Sequence, residues 1–334
     1  MPKKGDKVGK YEIVERIAKG GMGTVYKAKH PTLKRFVILK QLTLRNVAGV
    51  SDRFKREAAL MIDFKNENIV QVYDHFRSGS SYYIVMEYVE GEGLDTILRQ
   101  KGPLPPDTAS LIFQEACKGL AYAHGKGVVH RDIKPANILI SRQGEVKLVD
   151  FGIATTKEAS EEGLTLPGMT LGTPSYMAPE QISDPAHVDE RADIYSMGVV
   201  LYESLTGVKP FPEGFTPDTI DRINRGSYRR PKRVNPVVPA PLDRIVRRSM
   251  HHSRAKRYPS MQQAIARVAR YTGRPDSRQA RAHIRRSLTG EGGDPLFGLR
   301  HRGKPLLKVV GIFAAVLIVL GGGGFFYRRG YHNE

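Results

Sequence analysis

Between residues 11 and 88 apolar and polar side chains alternate in short runs, as in Tyr11-Glu12-Ile13-Val14-Glu15-Arg16-Ile17 and again over 24–28, 35–40 and 82–86. A period of two marks a strand with one buried and one solvated face, so this region predicts an antiparallel sheet. One stretch breaks the pattern: over 51–64, Phe54, Ala58, Met61 and Ile62 fall at helical spacing behind Ser51 or Asp52 as a cap. Beyond Gly91-Glu92-Gly93 the period lengthens, and 107–124, closed by Gly125, and 192–205, closed by Gly207, read as apolar helices. Prolines cluster between 231 and 241, and two further helices follow, one starting near Leu242 and one ending near Tyr271. The expected architecture is α+β, a small sheet lobe with one main helix over 11–90 and a larger, mostly helical lobe over 91–271. There is no internal repeat.

The pattern changes again near the carboxy terminus. Residues 272–305 are rich in Arg, Gly and Ser with few large apolar side chains, which predicts a linker. Residues 309–327 then carry no charge, with Lys308 before them and Arg328-Arg329 after. At about 1.5 Å per residue that run spans roughly 28 Å, close to the hydrocarbon thickness of a bilayer. The glycine run 321–324 would be a poor interior for an isolated soluble helix, so 306–327 is expected to be a single membrane span, followed by a short tail, 328–334. Basic residues crowd its amino-terminal flank at Arg300, Arg302, Lys304 and Lys308, which places the folded part on the cytoplasmic side. Residues 1–10 read as an amino-terminal tail without the apolar run of a secretory leader.

Charge sharpens this division. The chain holds 53 Lys and Arg against 34 Asp and Glu, a formal charge of +19. Residues 1–221 carry 28 basic and 29 acidic side chains, whereas 222–308 carry 23 and 4. The excess is one block in the last third. A nucleic-acid surface would interleave aromatics for stacking, yet 272–305 offers only Phe297, so no nucleic-acid partner is expected. Attraction of this block to anionic lipid beside a membrane span is the more direct use. The single cysteine, Cys117, lies in an apolar helical stretch and reads as core, which excludes a disulfide framework or a cysteine zinc site.

The chemistry-bearing residues come in a fixed order. After the strand ending at Ile17 comes Ala18-Lys19-Gly20-Gly21-Met22-Gly23-Thr24-Val25, a turn whose glycines let backbone amides approach phosphate oxygens. Val37-Ile38-Leu39-Lys40 ends a strand with an inward lysine that needs an anionic partner, and Glu57 on the helix of the small lobe can supply one. Then follow Val129-His130-Arg131-Asp132-Ile133-Lys134-Pro135-Ala136-Asn137-Ile138-Leu139 and Val149-Asp150-Phe151-Gly152, and later Met177-Ala178-Pro179-Glu180, Asp193 and Arg257. On these residues the chain resembles a eukaryotic-type (Hanks-type) serine/threonine protein kinase over 11–271. The Gly-Gly-Met-Gly-Thr-Val-Tyr turn and compact ending are similar to the bacterial, membrane-anchored branch, which implies a bacterial inner membrane as location.

The resemblance implies a two-lobed kinase fold binding ATP and Mg2+, with protein Ser/Thr hydroxyls as substrates. Asp132 would take or orient the proton of the attacking hydroxyl, Lys134 would neutralise the transferred phosphoryl group, and Lys40, paired with Glu57, would hold the α and β phosphates. Asn137 and Asp150 would hold magnesium as hard oxygen ligands. Ile17 to Val25 would cover the phosphates and adenine, with Met86, Glu87 and Val89 lining the hinge. Thr173 would bond the catalytic loop, Glu180 would pair with Arg257, and Asp193 would brace that loop. Arg131 beside Asp132 implies a phosphate on the segment 150–180, with Thr165 and Thr170 as the autophosphorylation candidates. A homodimer is a further expectation of that branch. Two positions depart from the family pattern: Ala18 replaces the first glycine of the turn, and Ile38 adds bulk over the adenine where a small residue is usual, so weakened ATP binding is expected. The alternative weighed against the kinase is a pseudokinase, or nucleotide-binding scaffold, that keeps the fold without the chemistry.

Overall fold

Tyr11, Ile13, Tyr26, Ala28, Val37, Leu39, Tyr83 and Val85 occupy alternate positions on successive strands and meet in one apolar layer. The computed structural model describes residues 2–20, 23–32, 34–42, 61–151 and 174–291, all within one unit, Met1–Asp294. The layer is one face of a six-stranded antiparallel sheet: β1 Lys7–Val8, β2 Tyr11–Gly20, β3 Gly23–Lys29, β4 Phe36–Leu42, β5 Val72–Ser78 and β6 Ser81–Glu87, in the order β1-β2-β3-β4-β6-β5. The register sets Val25 opposite Lys40, Lys40 opposite Ile84, and Ile38 opposite Met86, so these side chains share the other face. At Gly23, φ is +145° and a Cβ would lie 1.9 Å from the Gln41 carbonyl oxygen. Only glycine lets β3 start that close to β4. The expected amino-terminal tail is corrected here: Lys7 and Val8 pair with Glu12 and Tyr11, and Val8 is buried in the sheet core.

The second lobe is built from helices α1 Leu94–Lys101, α2 Pro106–Gly125, α3 Pro179–Ser183, α4 Arg191–Thr206, α5 Pro217–Arg225, α6 Pro231–Val234, α7 Ala240–Ser249, α8 Met261–Thr272 and α9 Ser277–Thr289. A small sheet of β7 Gly91–Gly93, β8 Ile138–Ser141 and β9 Val146–Leu148 lies among them. Helices α2 and α4 are apolar on most sides and form the interior of the lobe, as their long uncharged runs predict. Helix α4 stops at Gly207, whose φ of +74° supplies the left-handed cap. Cys117 is fully buried in α2, and burial pushes its thiol well up, which marks an inert core cysteine. Arg257, 1% exposed, forks onto Glu180 at 2.5 and 2.7 Å and donates to the carbonyls of Arg191, His251 and His252. Those additional acceptors offset the desolvation of a buried pair. The expected Glu180–Arg257 pairing is therefore present, tying α3 to the loop before α8.

A second correction concerns the linker. Residues 277–289, inside the segment expected to be a linker, form α9, which packs on α2 through Ala280, His283 and Ile284. Asp276 and Gln279 cap its start reciprocally, and Gly290 ends it in the left-handed conformation. The apolar stripe is narrow, built from alanine, histidine and one isoleucine, and it is hidden in a composition dominated by arginine. No helix among the described residues is long and apolar enough to cross a membrane; 306–327 lies outside them. Most of the helix expected over 51–64 also lies outside them, although Met61 and Ile62 are helical.

Candidate active site

The loop between α2 and β8 holds the residues singled out for chemistry, and a buried carboxylate from α4 fixes its shape. Asp193, 0% exposed, accepts the backbone N–H of His130 at 2.8 Å and of Arg131 at 2.9 Å, and His124 Nε2 lies 2.8 Å from the same group. Burial by itself would raise this carboxyl. The hydrogen bond and charge of His124, with the bond from the His130 amide, outweigh that and hold it below the usual carboxylate range. Arg131 has φ of +66°, an unfavourable conformation for a long side chain, and the Asp193 bonds to two consecutive amides, those of His130 and Arg131, hold it. Gln181 adds a third support, its side-chain nitrogen donating to the Arg131 carbonyl at 2.7 Å.

Below that anchor, His130 Nε2 lies 2.9 Å from the Val149 carbonyl and its Nδ1 3.4 Å from the Asp132 amide. The Val149 carbonyl accepts from Nε2 and the Asp132 amide donates to Nδ1, so both ring nitrogens help to fix the loop. The loop returns through a short turn in which Asn137 donates to the Asp132 carbonyl at 2.7 Å and to Asp132 Oδ2 at 3.1 Å. Lys134 Nζ also binds Oδ2, at 2.8 Å. Two cationic or polar donors thus occupy one carboxylate oxygen and orient the other. With the Asn137 amide nitrogen committed to Asp132, its oxygen is the acceptor end of the side chain.

Opposite the loop, Lys40 Nζ meets Asp150 Oδ1 at 2.6 Å, with the lysine side chain 13% exposed. Asp150 itself has φ of +59°. It is followed by buried Phe151, which packs on His130 at 4.5 Å and edge-on to Phe64 at 5.9 Å. The aromatic seam joins the segment before β5 to the loop and keeps Asp150 turned toward Lys40.

Of the predicted residues within the described part, five are brought together at one cleft: Lys40, Asp132, Lys134, Asn137 and Asp150. Ala18 pairs with Val25 on the Lys40 face, and Ile17, beside a bulge, is half-exposed at the margin. Lys19 and Thr24 pair with each other, and the buried Thr24 side chain lies on the opposite face, so only its backbone is placed for a nucleotide. Gly20 pairs with Gly23 at the end of the hairpin. Met86 is buried beside Ile38, and Glu87 and Val89 continue into the partly buried hinge. Gly21, Met22, Glu57, Gly152, Thr165, Thr170 and Thr173 lie outside the described residues. Sequence reasoning missed His124, Gln181 and Lys147, whose ammonium binds Glu87 at 2.9 Å and ties β9 to the hinge. Nothing in their spacing signals these roles, which arise from chain crossings.

The set fits a nucleotide triphosphate with a divalent cation. One ammonium stands beside the Asp150 carboxylate, and Asn137 keeps its amide oxygen as an acceptor, a hard oxygen donor set of the kind magnesium takes. Asp150 and Asn137 are the residues that would hold the ion.

The protein kinase domain family matches residues 11–268. The chain is 38% identical over 260 residues to a probable serine/threonine-protein kinase of Clostridium perfringens, covering 77% of this chain and 37% of that one. It is 34% identical over 285 residues to the serine/threonine-protein kinase PknH of Mycobacterium bovis, covering 85% and 47%. With PknL of Mycobacterium tuberculosis it shares 41% identity over 204 residues, covering 60% and 50%. The chain therefore spans half or less of the length of these relatives. Among solved structures, the crystal structure of residues 1–466 of Rad53 in complex with AMP-PNP matches with a TM-score of 0.65 and 27% identity, over 77% of this chain and 64% of that one.

Ile38 stands next to Met86 on the cleft face of the sheet, where its extra methylenes narrow the space for a flat ring. Ile38→Ala is expected to tighten nucleotide binding by roughly three- to tenfold in a calorimetric titration. Unchanged or weaker binding would contradict this.

Proposed function

The chain belongs to the protein kinase domain family, and on that premise we propose that it transfers the γ-phosphoryl group of ATP to serine and threonine hydroxyls of proteins. The observation that carries this reading is the Asp132 carboxylate. Lys134 and Asn137 hold its Oδ2, which presents Oδ1 to an incoming hydroxyl. In the reaction the substrate oxygen attacks the γ-phosphorus, the bond from that phosphorus to the β–γ bridging oxygen breaks, ADP leaves, and the hydroxyl proton passes to Asp132. Lys134 neutralises charge on the moving phosphoryl group, and Lys40 holds the phosphates that stay behind. Magnesium, held by Asp150 and Asn137, supplies further charge neutralisation when bound. The complete set of Lys40, Asp132, Lys134, Asn137 and Asp150 weighs against a scaffold without chemistry.

The wider reading rests on sequence. The protein is anchored in the bacterial inner membrane by 306–327 with its kinase domain in the cytoplasm, and it autophosphorylates at Thr165 and Thr170. Exposed arginines on α7 and α8, among them Arg244, Arg247, Arg267 and Arg270, extend the basic character from the former linker onto the folded lobe. Each such residue near an anionic surface adds about 1 kcal/mol of attraction. Small residues at Gly311, Ala315 and 321–324 support pairing of spans in a homodimer.

With ATP and magnesium, the wild-type chain is expected to carry phosphate on Thr165 and Thr170 by peptide mass spectrometry, and Asp132→Asn to lose about a hundredfold or more of the transfer rate. Equal transfer by the two proteins would refute the role of Asp132. Expressed in a bacterium, the full chain is expected in the inner-membrane fraction after alkaline extraction; recovery as soluble protein would refute the anchor.

A further inference from the structure

Helix α9 lies beyond the end of the family match at residue 268, yet it touches the β8–β9 turn, which precedes Asp150 in the chain. Its apolar side is docked on α2 by Ala280, His283 and Ile284, and the Thr108 hydroxyl donates to Ser287 Oγ at 2.7 Å. Its backbone presses on the turn between β8 and β9. A Cβ at Gly144 would lie 2.2 Å from the Arg281 carbonyl oxygen, so that turn accepts the helix only with glycine there.

The polar contacts of α9 are more informative. The guanidinium of Arg281 reaches two carboxylates from separate segments, Glu67 Oε2 at 2.5 Å through Nη2 and Glu145 Oε1 at 3.2 Å through Nη1. Ser277 Oγ donates to the other oxygen of Glu67 at 2.9 Å and accepts from Lys118 Nζ at 3.2 Å. Glu67 lies in the loop between Phe64 and β5, and Glu145 immediately precedes β9.

Those two segments are stitched together next to the cleft. The Leu148 amide donates to the Asn68 carbonyl at 2.8 Å, the Val70 amide donates to the Leu148 carbonyl at 2.9 Å, and Asn68 Nδ2 donates to the Val146 carbonyl at 3.1 Å. Val149, the next residue, receives His130 Nε2, and its amide donates to the Asn137 carbonyl at 3.0 Å. Asp150 follows directly. At the other end of the loop, Phe64 packs on Phe151. Arg281 thus clamps the outer edge of a junction whose inner edge is the pair Asp150-Phe151.

We propose that α9 is a positioning element for phosphoryl transfer, with Arg281 as the positioning residue that holds the 65–70 loop against β9 and so fixes Asp150. This rests on the kinase reading for its activity arm. The Arg281 side chain is 30% exposed, and one surface pair of this kind contributes little by itself. The effect lies in geometry: one planar fork joins two carboxylates that would otherwise repel, a bridge the point charge of lysine does not reproduce.

The test uses the full chain and compares wild type, Arg281→Ala, Arg281→Lys and the exposed control Arg278→Ala. Hydrogen exchange is read at peptides covering 65–70 and 146–149, and kcat and the KM for ATP are measured alongside. Arg281→Ala is expected to speed exchange in both segments and to lower kcat by about fivefold with KM changed less than about twofold. Arg281→Lys recovers only part of the loss, and Arg278→Ala matches wild type. Unchanged exchange in Arg281→Ala overturns the clamp, and faster exchange with unchanged kcat overturns its link to Asp150. A wild-type chain that transfers no phosphate contradicts the kinase reading, and the exchange arm then judges the clamp alone.

Discussion

A carboxylate buried without exposure holds the catalytic loop in place. Asp193 sits on α4, inside the helical lobe, and both of its oxygens are spent on the backbone of His130 and Arg131 and on the ring of His124. Leaving such a charge unsolvated would be costly, so the loop must approach and supply its amides. That requirement forces the left-handed turn at Arg131 and puts Asp132 at the mouth of the cleft. Asn137 and Lys134 then orient its carboxylate.

From that anchor the site is a set of linked crossings. His130 holds Val149 from one side and supports Phe151 on the other, which fixes Asp150 between them. Phe151 reaches Phe64, so the loop ahead of β5 is brought into the same unit. The sheet supplies Lys40 through its register with Val25 and Ile84. Chemistry is therefore shared between elements far apart in sequence, each positioned by its neighbours and carrying little geometry of its own.

How much of this was legible beforehand depends on the kind of signal. Lys40, Asp132, Lys134, Asn137 and Asp150 stand in contiguous motifs, and the structure brings them to one cleft. Strand alternation and the apolar runs of α2 and α4 were equally readable, because burial on one face or on most faces leaves a periodic trace. The helix α9 left almost none. Its buried stripe of alanine, histidine and one isoleucine is thin within an arginine-rich sequence, and its polar contacts with the rest of the protein run through Arg281, Ser277 and Ser287, which look like any solvated residues. The strand at Lys7–Val8 is too short to show a period, and Lys147 and Gln181 act through partners 60 and 50 residues away. Long-range polar contacts of this kind have no local spacing to read.

The dependence of the loop on Asp193 is tested most directly by the kcat of Asp193→Asn at saturating ATP. The amide keeps the shape but offers one acceptor oxygen where the carboxylate offers two, so at least one buried donor loses its partner. The expected result is a fall in kcat of about tenfold or more in a protein that still binds nucleotide like the wild type. A kcat within about twofold of wild type would contradict the claim that this carboxylate sets the geometry of the site.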